Sequence, residues 1–174
     1  TDGQQIFNNF CFDICGAKDR FPSAGVAKQK VEALRRQIGS KKVLLALSGG
    51  SDSSTVAYLL KEAMRDHLGN LRAVYIRGID RPDDEAHVRQ FFGEQKWLEI
   101  KVVNETAAFL QVLKGVPTMP EKRKAMRGVY KDALEREAAA FGANFIVQGT
   151  LYTDISETGG GYNTSAPKAR IKEH

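Results

Sequence analysis

The spacing of apolar residues changes repeatedly along this chain, and each change marks an element. K-V-L-L-A-L (42–47) is a short continuous apolar run, which predicts a strand buried on both faces. From Asp52 onward the period becomes helical: Val56, Leu59, Leu60, Ala63 and Met64 share one face, and Gly69 and Asn70 close the helix. Ala27, Val31, Leu34 and Ile38 give a similar stripe to an earlier helix over 26–38. L-R-A-V-Y-I (71–76), L-E-I-K-V-V (98–103) and N-F-I-V-Q-G (144–149) predict three more strands. Between them lie predicted helices at 83–94, with acids in its first turn, at about 105–113 and at about 120–141. Met126, Tyr130, Ala133, Leu134, Ala138 and Phe141 form the stripe of the last. Beyond residue 149 the sequence turns polar and glycine-rich, without periodicity.

Strands alternating with helices predict an α/β fold: a Rossmann-like parallel sheet with helices on both faces. Such sheets bind ligands beyond the carboxyl ends of their strands. The unusual local chemistry lies at those ends, in 48–54, 77–85 and 149–161. The length of 174 residues fits one domain, and 42% hydrophobic with 27% charged residues is ordinary globular composition. No apolar run reaches the roughly 18 residues of a membrane span, so no membrane partner is expected. Cys11 and Cys15 are too few for a disulfide framework and are expected as buried thiols on a helical turn, in a reduced, cytoplasmic setting. The net charge of +5 suits an anionic ligand. Basic clusters at 121–124 and 168–172 lack interleaved aromatics, which argues against a nucleic-acid partner.

The joint between the first strand and its helix reads S-G-G-S-D-S-S (48–54). A strand, glycine loop and helix present free N–H groups at a helix N-terminus, where the dipole adds roughly half a positive charge. Gly49 and Gly50 let the backbone close around phosphate oxygens, and Ser48, Ser51, Ser53 and Ser54 add hydroxyl donors. The lysine of the common triphosphate loop is missing and Asp52 stands in the loop. A carboxylate beside polyphosphate calls for a divalent cation between them, and Mg²⁺ commonly uses one or two carboxylates plus phosphates. Ser51 or Asp52 also fits the N-cap of the helix.

S-G-G-x-D-S resembles the loop of the N-type ATP pyrophosphatases, the PP-loop superfamily that includes GMP, NAD, asparagine and argininosuccinate synthetases and tRNA-modifying thiolases. Further stretches are similar to GMP synthetases in particular: F-N-N-F-C-F-D-I-C-G (7–16), P-E-K-R-K-A-M-R-G-V-Y (120–130), Q-G-T-L-Y-T-D-I-S-E (148–157) and I-K-E-H (171–174). The resemblance implies an adenine nucleotide alpha hydrolase-like fold and ATP and Mg²⁺ as cofactors. It implies adenylation of xanthosine 5′-monophosphate (XMP) with release of pyrophosphate, after which ammonia displaces AMP to give GMP. On it, residues 48–54 hold pyrophosphate, Asp52 binds Mg²⁺ and, with Lys172, serves catalysis. Val74, Tyr75, Ile76, Gly149 and Thr150 lie on the adenine side, and Asp154, Glu157 and Lys172 on the acceptor side. Lys122 and Arg123 equally fit a solvated helix start, Tyr152 a packed aromatic, and His67 and His87 plain surface.

Residues 1–21 resemble the linker from a glutaminase domain, 22–156 the ATP pyrophosphatase domain, and 157–174 a flexible lid. The resemblance thus implies a glutaminase domain or subunit as ammonia source. It also implies a homo-oligomer through a C-terminal domain beyond His174, and little GMP formation by this chain alone. One stretch departs from the family: R-G-I-D-R-P (77–82) replaces D-x-G-x-x-R, with Arg77 at the acid position and Pro82 at the arginine position. That departure favours, as alternatives, a PP-loop enzyme acting on a different acceptor by amidation or thiolation, or an ATP-binding remnant without turnover.

Overall fold

The structure, a computed structural model, describes residues 2–18, 25–81, 83–94, 96–150 and 172–173. Helix α1 (Gly3–Asn8) runs into a π-helical turn (Asn9–Ile14), and α2 (Val26–Ile38) precedes strand β1 (Val43–Ala46). Then follow α3 (Ser51–Ala63), a 3₁₀ turn (Leu68–Asn70), β2 (Leu71–Arg77), α4 (Asp84–Gly93) and β3 (Glu99–Asn104). Helix α5 (Thr106–Leu113), α6 (Met119–Phe141), β4 (Phe145–Gln148) and β5 (Lys172–Glu173) complete the order.

The sheet order is β3-β2-β1-β4-β5. The first four strands are parallel, and only β5 runs antiparallel, on the outer edge of β4. Strand β1 is central because its side chains feed a core on either face. Val43 and Leu45 join Ile38, Ala57, Leu60, Met64 and Phe92 beneath α2, α3 and α4. Leu44 points the other way, into Val74, Phe109, Leu134, Ala138 and Ile146 beneath α5 and α6. The predicted α/β fold with helices on both faces is therefore the observed one, and the chain order reverses between β1 and β4.

Three expectations are corrected. Helix α3 ends at Ala63 rather than near Gly69. Arg35 of α2 explains the stop: its guanidinium donates to the carbonyls of Ala63 (3.2 Å) and Glu62 (2.7 Å), satisfying groups that another helical turn would otherwise engage. Ala27 is exposed, and α2 buries Ile38 with Val31 and Leu34 half-buried. Cys11 is half-buried and Cys15 exposed. The π turn shifts the helical phase around them, and Phe7 and Ile14 stay about 69% and 75% exposed, so this segment has no core for the thiols to enter. Among the described residues no helix is long and apolar enough to cross a membrane.

Burial separates structural from incidental leucines. Leu45→Ala, in the centre of β1, should cost about 2–5 kcal/mol in denaturant unfolding. Leu110→Ala, on the exposed side of α5, should stay within about 0.5 kcal/mol of the parent.

Candidate functional site

The turn after β1 is built from two glycines with different reasons for being glycine. Gly49 has φ +80°, and a Cβ there would fall 2.5 Å from Val88 Cγ2 on α4. Backbone and neighbour both require its bare Cα. Gly50 has an extended backbone, φ −71° and ψ 164°, open to any residue, and a Cβ would meet only Ser48 Oγ at 3.5 Å. Nothing in the protein demands glycine at 50; the unoccupied space lies in the cleft it lines.

Gly50 is also the N-cap of α3 and offers no side chain to the helix end. The expected capping by Ser51 or Asp52 is not observed, because these are already the first two helical residues. The opening N–H groups of α3 accordingly have no protein acceptor among the described residues, and they carry the positive end of a 13-residue helix dipole. Ser53, the buried residue of this turn, fixes the loop. Its Oγ accepts from Ser48 N (3.2 Å), donates to Gly50 O (3.2 Å) and lies 3.1 Å from Ser48 Oγ. At the tip of β4, a Cβ on Gly149 would come 2.8 Å from Ser53 N and 2.9 Å from the carbonyl carbon of Asp52. Strand and helix meet there backbone to backbone.

These parts form one wall of a cleft of about 1040 Å³ over the strand ends. Ser48, Gly49, Gly50, Ser53, Val74, Tyr75, Ile76 and Gly149 all line it, as a set drawn from three strand tips. Ser51, Asp52, Ser54 and Thr150 do not; Asp52 is exposed in the first turn of α3 and accepts from Ser51 Oγ at 3.3 Å. Lys172 pairs its backbone with Ile146 on the edge strand. Tyr152, Asp154 and Glu157 lie outside the described residues. His87 and Arg123, which also fit plain surface on the sequence, line the cleft, whereas Lys122 does not.

Sequence reasoning missed two sets of lining residues. Arg127, Tyr130 and Lys131 of α6 form the opposite wall with Arg123. Their i, i+4, i+8 spacing was visible, but only the sheet tells which face of α6 meets the cleft. The second set is Asp80, Arg81 and Asp84, in and after R-G-I-D-R-P. Asp80 closes that loop by accepting from Tyr75 OH (2.8 Å) and Gly78 N (3.2 Å). Thr106 Oγ1 donates to Gly78 O (2.9 Å), and Phe109 packs where a Cβ of Gly78 would fall. Arg77 is answered by Glu85 at 3.0 Å, which also takes Arg89 at 2.8 Å. The hydrogen bond from Arg89, with the Arg77 charge, holds Glu85 below the usual carboxylate range.

Burial pushes the Tyr75 hydroxyl well above its ordinary range, and its bond to Asp80 and the charges of Asp80 and Asp84 push it further. Burial, then the Asp80 charge, raises Tyr130 as well. Tyr75 therefore stays protonated and donates. Its proton is bound more tightly folded than unfolded, so this contribution to stability is complete below about pH 10 and is lost as pH rises further. Urea unfolding across pH 8 to 11.5 should show the parent losing stability relative to Tyr75→Phe only above about pH 10. A constant difference over that range would contradict the assignment.

A model of the NAD synthase family matches residues 25–164. A glutamine-hydrolysing GMP synthase of Clostridium acetobutylicum is 37% identical over 174 residues, covering 99% of this chain and 32% of that protein. The chain thus spans about a third of the length of the curated relatives it matches. An NH3-dependent NAD synthetase of Campylobacter jejuni has the same fold, with a TM-score of 0.61 at 20% identity over 78% of this chain and 58% of that one. A U34-tRNA thiolase of Methanococcus maripaludis, bearing a 4Fe-4S cluster, gives 0.55 at 21% identity over 75% and 48%. With the family match spanning the four parallel strands and both cleft-forming helices, the chain belongs to the NAD synthase family, as an ATP pyrophosphatase domain of the PP-loop superfamily.

Proposed function

We propose that this chain is the ATP pyrophosphatase domain of a GMP synthase-like ligase that adenylates XMP and lets ammonia displace AMP. The observation that carries the reading is 37% identity to GMP synthase along virtually the whole chain, joined to a cleft whose loop suits a polyphosphate. Residues 22–156 form that domain, with Asp154 on its acceptor side, 1–21 lead in from a glutaminase that supplies ammonia, and 157–174 form a lid carrying Glu157 and Lys172 to the acceptor. A further C-terminal domain makes the homo-oligomer.

ATP enters with its β- and γ-phosphates on the uncapped N-terminus of α3. The bare Cα of Gly50 admits their oxygens to the backbone N–H groups, and Ser48 adds a hydroxyl. The adenine lies against Val74, Tyr75, Ile76 and Gly149, the adenine-side residues that line the cleft. The 2-oxygen of XMP attacks the α-phosphorus, the bond from that phosphorus to the bridging oxygen breaks, and pyrophosphate leaves with the electron pair. Ammonia then adds at C2, loses a proton and expels AMP. Fixed N–H groups at the loop stabilise the charge gathering on pyrophosphate, so positioning and electrostatics carry the step without a nucleophilic side chain.

Asp52 fits Mg²⁺ as one hard carboxylate ligand, completed by water and the phosphates themselves. Among the described residues no group of three or more His, Cys, Asp or Glu is placed to hold a metal ion. When bound, Mg²⁺ neutralises phosphate charge; Asp52 orients it from the first turn of α3. A second reading, a different acceptor on the same chemistry, draws on R-G-I-D-R-P: its closed loop brings Asp80 and, just beyond it, Asp84 to the cleft.

Pyrophosphate and AMP release, measured with XMP, ammonium and Mg²⁺ on a chain extended beyond His174, tests the reading. The parent should release both, and Asp52→Ala should lose at least about a hundredfold with its melting temperature unchanged. Gly50→Ser separates ligand from fold: serine is a good N-cap, so stability should hold or rise, while ATP binding weakens by about tenfold or more. Pyrophosphate released only with another amide or thiol acceptor would move the assignment to the second reading.

A further inference from the structure

The cleft has two anion-attracting walls, and ATP accounts for one. The glycine loop and the α3 N-terminus form the first. Across the strand tips, α6 presents Arg123 and Arg127, one helical turn apart on a common face, where their Cβ atoms stand roughly 5–6 Å from each other.

Among the described residues Arg36, Arg123 and Arg127 are the arginines without a carboxylate or carbonyl partner, and of these Arg123 and Arg127 line the cleft. Arg65, Arg72, Arg77, Arg81, Arg89 and Arg136 each pair with a carboxylate, and Arg35 is spent on helix carbonyls. Arg123 and Arg127 have no ion pair or hydrogen bond among the described residues, although both line the cleft. Lys131, a turn further on, is partly neutralised by Glu135 at 3.8 Å. Beside the arginines the apolar stripe of α6 surfaces inside the cleft, with Met126 half-buried and Tyr130 41% exposed. Tyr130 is held edge-on by Phe109, ring centroids 4.9 Å apart. Two free guanidinium groups beside a fixed aromatic ring match a phosphate monoester attached to a flat base. At about 1040 Å³ the cleft also stands at the top of the roughly 300–1,000 Å³ range of single-ligand pockets, which leaves room for a second nucleotide.

We propose that the α6 wall binds the phosphate monoester of the acceptor nucleotide through Arg123 and Arg127, with its base against Tyr130 and Met126. The proposal rests on the two-substrate reading above and assigns the acceptor a place that the sequence motifs leave open. ATP, held by the opposite wall, does not compete for it.

Titrating ¹⁵N-labelled protein, preloaded with Mg²⁺ and the α,β-methylene analogue of ATP, which cannot release pyrophosphate, tests this through the arginine Nε–H resonances. The probes are XMP, xanthosine and inorganic phosphate. XMP and phosphate should shift the Arg123 and Arg127 signals and xanthosine should not. The double variant Arg123→Gln/Arg127→Gln should weaken XMP by about tenfold or more while ATP affinity stays within about twofold. Arg127→Lys should fall between, because it keeps charge and loses the fork. The proposal is overturned if ATP weakens as much as XMP, if loading with the analogue abolishes the phosphate shifts, or if neither XMP nor phosphate moves the two signals. Tighter binding of GMP or AMP than of XMP, with the same dependence on both arginines, would support the phosphate site and remove XMP as the acceptor.

Discussion

The cleft depends on the backbone of Gly149 lying against the first turn of α3, so close that a single methyl group would meet Ser53 N and the carbonyl carbon of Asp52. A contact without side chains fixes the distance between the β4 tip and the helix start with almost no tolerance. Because β1 pairs in parallel with both β2 and β4, the same contact sets the helix N-terminus over three strand tips at once. Gly49, turning at positive φ under Val88, and Ser53, bonded to Ser48 and Gly50, hold the connecting loop in the only space left. The free N–H groups of α3 thus face the cleft as a result of packing.

The walls around that point are anchored from both cores. Phe109, fully buried under α6, rises against Gly78 and braces the loop that Asp80 closes. Helix α6 is tied across the sheet by Lys101 to Glu137 at 2.6 Å and to the start of α5 by Arg136 and Glu105. A partly buried pair of this kind adds little net stability, but breaking it leaves a carboxylate in a poor solvent, so it fixes where α6 lies. Arg77, foreign to the family pattern, is absorbed in the same way by Glu85. R-G-I-D-R-P thus sits in a closed loop that leaves the fold intact.

What was legible in the sequence was local. Val43, Leu44 and Leu45 announce a doubly buried strand, and two adjacent glycines before a helix announce a loop without side chains, because backbone geometry and solvent set both. The α6 wall was not legible: the stripe Met126, Tyr130, Leu134 marks an apolar face, but Arg123 and Arg127 belong to the cleft only once β1 and β2 supply its floor. Asp80 was hidden for a similar reason, since its partners Tyr75 and Gly78 become neighbours through the loop closure it causes. Burial of Cys11 and Cys15 was misread because a π turn breaks the period that the inference used, and the N-cap was misplaced because Gly50, with no side chain, holds it.

The charges around the cleft give direction to what it holds. Asp80 and Asp84 lie beside Tyr75 at the tip of β2, the α3 N-terminus beside β1 and β4, and the arginines on α6. A polyphosphate against the two acids would meet like charge in a partly shielded site, where charges about 4 Å apart interact by several kcal/mol. Against the α3 N-terminus the same group meets unclaimed donors. On the proposed reading ATP would therefore lie with its phosphates on the loop and its uncharged sugar and base toward Asp80, which takes hydroxyl and amide donors already. An acceptor's phosphate, as proposed above, would be excluded from the acid corner by repulsion and from the loop by occupancy, which leaves it the α6 face. Arg77 and Asp80 thus bear on how a nucleotide is turned in the cleft, while the loop that would hold its phosphates is built independently of them.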